Sequence, residues 1–132
     1  MTSYSSPSPN SLGYLSIVWR ESRAMPGVRF AIRRVSLGSR IELMRRIREL
    51  TLRYDFLKAG DTAEQLEASL SELLVRKLLL EWGLAEISGL TINDEPGTVT
   101  NLVENGPEAV SEEIAMAVRK ELGLSDEERK NF

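Results

Sequence analysis

The chain has 132 residues, 42% of them hydrophobic and 28% charged, with a formal net charge of −3 and neither Cys nor His. That suits one globular domain able to bury about two thirds of its unfolded surface. Without Cys there are no disulfides, thiolate metal sites or Cys nucleophile, and without His the commonest general base and metal ligand are missing.

The remaining routes to catalysis are also closed at the level of motif. There is no Gly-rich phosphate loop, no Gly-x-Ser-x-Gly elbow and no Ser-x-x-Lys, so a non-enzymatic protein without a cofactor is expected. Glu112-Glu113 and Asp126-Glu127-Glu128 read as solvated helix ends and not as a metal site. No apolar run is long enough for a membrane span, and residues 1–13 have neither a basic start nor an apolar signal core. A cytoplasmic protein is the expectation.

In chain order, the Ser- and Pro-rich residues 1–13 read as a disordered arm and 14–132 as a single domain. YLSIVW (14–19) and VRFAIRRV (28–35), the latter alternating at Val28, Phe30 and Ile32, predict a β-hairpin turning at Pro26-Gly27. Ser39 and Glu42 have capping-box spacing and Gly60 is a stop, which predicts a helix over 40–58. Asp61-Thr62-Ala63-Glu64 opens a second helix ending near Trp82-Gly83, and the two helices should form an antiparallel hairpin. Residues 87–99 combine a β-like Leu90-Thr91-Ile92 with an Asn-Asp-Glu-Pro-Gly turn. Thr100 is read as capping a turn through Val103. Pro107 suits the first position of a helix to Leu122, and Ser125 the cap of a short terminal helix. The fold class expected is α+β and predominantly α: an N-terminal β-hairpin, a helical hairpin and a C-terminal helix.

Charge is unevenly spread. Residues 20–53 hold ten Arg against three Glu, a net of +7, whereas 54–132 hold seven Lys or Arg against seventeen Asp or Glu, a net of −10. Such asymmetry marks either a basic docking surface or two attracting parts of one fold. At 100° per residue, Leu43, Met44, Ile47, Leu50, Thr51, Tyr54 and Leu57 share one arc of the 40–58 helix, and Arg45, Arg46, Arg48 and Arg53 the other. The arginines are therefore first a solvated face. Ile41, Leu52 and Phe56 nevertheless fall among them.

The second helix carries a similar surplus. Ala63, Leu66, Leu70, Leu73 and Leu74 make one stripe, while Val75, Leu78, Leu79 and Trp82 spread over the opposite side. Either the β-hairpin and the C-terminal helix cover the surplus, or it is left for a partner. Ile41, Arg45, Arg48, Leu52, Phe56, Leu78, Leu79 and Trp82 are the candidate partner-binding residues. Residues 107–122 bury one stripe, Val110, Ile114, Ala117, Val118 and Leu122.

Nucleic acid is the competing use of the arginines in helix 40–58. Readers of DNA or single strands add a recognition motif or stacking aromatics. This segment has only Trp19, Phe30 and Tyr54, no Lys before residue 58, and a sequence pI of about 5.1. Neither nucleic acid nor a membrane surface is the expected partner.

The stretches GVRFAIRRVSLGSRIEL, LEWGLAEISGLTINDEPGT and NGPEAVSEEIAMAVRKELGLSDEERKNF, taken in that order, resemble the phage tail assembly chaperones of long-tailed phages and prophages. The likeness covers most of residues 27–132 and does not extend to the arm at 1–13. The resemblance implies a small helical factor in the host cytoplasm that binds the aggregation-prone tape-measure protein and brings tail-tube subunits to it. It supplies no catalytic residues and leaves a homo-oligomer open. Family members are commonly made in two forms by a ribosomal slip, and Arg129-Lys130-Asn131 is compatible with the slippery codons A AAA AAC.

Overall fold

The computed structural model describes residues 11–54 and 62–123. Element by element, the chain forms β1 (Ile17–Glu21), β2 (Arg29–Arg33), α1 (Leu37–Tyr54), α2 (Thr62–Gly83), β3 (Leu84–Ser88), β4 (Thr91–Ile92), β5 (Glu95–Pro96), α3 (Val99–Asn105) and α4 (Glu108–Glu121). It is an α+β fold, mostly α, with the β-hairpin first and the helices after it.

β1 and β2 pair antiparallel with Trp19 opposite Ala31, and the turn closes where Gly27 takes a φ of 99° that a side chain would resist. Phe30 and Ile32 point from β2 into the core, as the alternation predicts. The sequence reading missed β3. This strand follows Gly83 directly, pairs antiparallel with β2 and gives a three-stranded sheet in the order β1-β2-β3, with a bulge beside Ala31 and Ile32. The apolar run through Trp82 masks the point where helix becomes strand, because Leu84 and Ile87 continue an apolar pattern of either period.

The Asn-Asp-Glu-Pro-Gly segment folds as a two-residue turn within a small hairpin. Asn93 and Asp94 both have positive φ, and Ile92 faces Glu95. Helix starts differ from expectation at three places, the smallest at α4, where Pro107 is the residue before the first helical position and not that position itself. α1 begins three residues earlier, because Ser36 and Ser39 cap each other: Ser36 N–H donates to Ser39 Oγ at 2.9 Å and Ser39 N–H to Ser36 Oγ at 3.2 Å. Ser39 is thus the inner partner of a box opened by Ser36, and Glu42 serves instead as a counter-ion for Arg46 at 3.1 Å. α3 is capped by Thr98 and not Thr100, in a reciprocal box with Asn101.

The core forms where the sheet's inner face meets the helices: Phe30 and Ile32, Leu43 and Ile47 of α1, Val75, Leu79 and Leu80 of α2, Leu102, and Val110, Ile114, Val118 and Leu122. The stripe expected on 107–122 is this core face, except that Ala115 is buried and Ala117 only half so. Polar ties fix the layers. The Arg40 guanidinium donates to the Leu122 carbonyl at the end of α4, and Arg33 Nε to the Trp82 carbonyl at the end of α2, at 3.1 Å. Ser22 Oγ and the Arg23 N–H both donate to the Glu113 carboxylate, at 2.5 Å and 2.6 Å, holding the β1–β2 turn against α4. Phe56, Gly60, Asp61 and the expected terminal helix from Ser125 lie outside the described residues, as do residues 1–10 of the N-terminal arm; residues 11–13 are exposed.

Candidate partner-binding surface

α1 buries Leu43 and Ile47 and turns the opposite side outward. Ile41, Arg45, Arg48 and Leu52, spaced four, three and four apart, make one continuous outward row. Ile41 is 52% exposed and Leu52 57%, both well beyond what packing leaves on a core helix. Between them the arginines are solvated, Arg45 lying 3.5 Å from Glu42. Four of the eight candidates therefore share one accessible face, and Phe56 lies outside the described residues.

The α2 candidates divide differently. Leu79 is completely buried, so it is a core residue and not a contact for a partner; reaching it would require opening the domain. Leu78 and Trp82 are half-buried and pack on the core, Leu78 at the floor of an open groove of about 400 Å³ with Arg46, Glu49 and Leu50. The sequence reading placed the surplus of α2 on the wrong side. Ser71, Val75 and Leu79 are its buried side, while Leu66 (66% exposed), Leu70 (43%) and Leu73 (50%) lie nearly opposite on the helix and face outward. Nothing in an apolar pattern alone tells which of two apolar faces a neighbour will cover; α4 and α1, the elements that pack most extensively on α2, decide it.

A second concavity, an open cleft of about 910 Å³, runs between the β1–β2 turn and α4. Phe30 and Ala117 contribute apolar surface, and Arg20, Arg23, Arg119 and Lys120 surround it together with Glu113. Arg20 is paired there with Glu121 at 3.2 Å.

The basic segment is largely occupied with the chain itself. Arg29 lies over Trp19 at 5.1 Å and Arg34 over Tyr14 at 5.6 Å. With Arg20, Arg33, Arg40, Arg45 and Arg46, seven of the ten arginines between 20 and 53 have a side-chain contact within the chain. Among the described residues, no group of three or more Asp or Glu is placed to hold a metal ion, and no helix is long and apolar enough to cross a membrane.

Comparison with protein-family models gives no match, and comparisons with curated protein sequences and with solved structures give none.

Proposed function

We propose that the chain is a non-enzymatic tail assembly chaperone of a long-tailed phage or prophage, working in the host cytoplasm and holding a tape-measure protein and tail-tube subunits for assembly. The motif resemblance gives the class. The observation that supports it is the outward row of α1, where Ile41 and Leu52 stand exposed at the two ends and Arg45 and Arg48 lie between them. Two apolar contacts three turns apart with cations between them suit the apolar stripe of a long helical client: the leucine and isoleucine gain from desolvation, and the arginines steer and orient. Leu78, in its groove, extends the apolar surface on the side of α2.

The test is to read the genomic neighbourhood for a gene encoding a long helical protein and, with that protein as the client, to co-express the two and pull down. The client should co-purify with the wild-type chain and be lost on Ile41→Asp with Leu52→Asp, without loss of fold. The absence of tail genes from the neighbourhood, or capture indifferent to these substitutions, counts against the reading. Nucleic-acid binding through the Arg-rich helix is the competing reading, and its support is the net charge of +7 over residues 20–53. The number of those arginines already engaged within the chain favours the chaperone reading.

A further inference from the structure

The N-terminal half of α2 is an arm of unusual character. From Thr62 to Leu70 none of its described side chains is buried, and the first residue of α2 to reach the core is Ser71. This half still carries Leu66 and Leu70, followed by Leu73, on the side away from the core, with Ala63 continuing the row. The spacing from 63 to 66, 70, 73 and 77 runs three, four, three and four, the a/d seam of a coiled coil and not the broader stripe of a helix lying on a domain. A helical arm of this length is marginal in water unless its apolar face is packed.

We propose that this seam pairs antiparallel with the same seam of a second copy of the chain. The charges along it select the orientation. In a parallel, in-register pair, Lys77 would meet Lys77 of the second copy at a seam position, a like-charge contact. Antiparallel, with Leu70 facing Leu73 of the second copy, Lys77 falls opposite Leu66. Its methylene stem then covers that leucine while its ammonium reaches Glu67 beside it. Lys77 and Glu67 are both exposed in the single chain, so both are available for this contact. The antiparallel register one heptad towards the N-terminus would set Glu67 against Glu67. One alignment therefore places leucine on leucine and lysine beside glutamate, twice over by symmetry, as an isologous dimer requires. The seam lies on α2, apart from the α1 row assigned to the client, and this inference does not rest on that assignment.

Three leucines and a lysine stem per copy make a small interface, so the dimer is reversible and depends on concentration. Sedimentation equilibrium of the full chain from about 1 µM to about 1 mM reads it directly. The expected result is a rise from 14.8 kDa towards twice that mass. Leu70→Asp should abolish the rise while leaving the melting temperature of the dilute protein unchanged. Lys77→Glu should weaken association by about tenfold or more by setting it beside Glu67 of the second copy, and adding Glu67→Lys should restore it. A chain that stays monomeric at the highest concentration overturns the proposal. So does a dimer indifferent to Leu70→Asp, a dilute Leu70→Asp protein that melts early because the leucine belongs to its own core, or a charge swap that fails to restore pairing.

Discussion

Gly83 and Val118 meet with no room to spare: a Cβ built on the glycine at the end of α2 would fall against both γ-methyls of the valine on α4. The closest packing of the two helices is therefore set by the missing side chain. Gly83→Ala would gain up to about 1 kcal/mol of helix propensity, but overpacking a tight core contact costs about 1–3 kcal/mol, so the overlap should win. The expected outcome is a net loss read in a thermal melt. Adding Val118→Ala removes the two methyls that overlap, so the double variant should lose less than the sum of the two single losses, although the valine's own burial is still forfeited.

Leu79 and Leu52 should behave as opposites although both are leucines on the helical hairpin. Leu79 has no exposed surface, and Leu79→Ala should cost about 2–5 kcal/mol through lost burial and an unfilled cavity. Leu52 is 57% exposed, and Leu52→Asp should change stability by no more than about 0.5 kcal/mol. Chemical denaturation of the two variants gives both numbers. A large loss for Leu52→Asp would move that residue from the outward row into a packed contact.

The start of α1 gives a third measurable difference. Because Ser36 Oγ accepts from the Ser39 N–H, Ser36→Ala should cost about 1 kcal/mol, and Ser36→Gly only a few tenths. Glu42→Ala removes only its exposed pairings with Arg45 and Arg46 and should cost about 0–1 kcal/mol. If Glu42→Ala proved the more damaging, the cap would lie at Ser39 after all.

How much of this was legible beforehand varies with the kind of signal. Period-2 alternation placed Phe30 and Ile32 inward, although Ala31 between them is buried as well, and the apolar spacing of residues 107–122 named four residues of the core face correctly, because α4 has one buried side and a pattern that records it. The capping residues were misplaced by two or three positions. Ser36, Ser39, Thr98 and Thr100 all have hydroxyls in the right neighbourhood, and only backbone geometry selects between them. β3 escaped because an apolar run reads alike as the end of a buried helix or the start of a buried strand. On α2 both sides are apolar, so the sequence could not say whether Leu79 or Leu70 would face water. The outward row of α1 was legible because its apolar residues sit among arginines, which seldom lie in a core.

The arginines give the last prediction. Affinity for nucleic acid grows with the number of phosphates neutralised and falls with salt by nearly one logarithmic unit per contact. Of the ten arginines between 20 and 53, Arg40 and Arg33 are tied to the backbone carbonyls of Leu122 and Trp82, Arg20 to Glu121, and Arg29 and Arg34 to aromatic rings. Arg45 and Arg46 could exchange Glu42 for phosphate at little cost, since exposed pairs contribute no more than about 1 kcal/mol. With Arg23 and Arg48 that makes four among the described side chains, spread over α1 and the β1–β2 turn and set against a chain of net charge −3. Among the described residues of this basic segment, no single surface then offers the six or more contacts that give steep salt dependence. The purified chain should therefore show no binding to a labelled single strand or duplex above background at about 50 mM salt, read by fluorescence anisotropy. Micromolar binding that falls steeply with salt and disappears on Arg45→Glu with Arg46→Glu would reverse the order of the two functional readings. It would make the outward row of α1 a phosphate-tracking face, with Ile41 and Leu52 incidental to it.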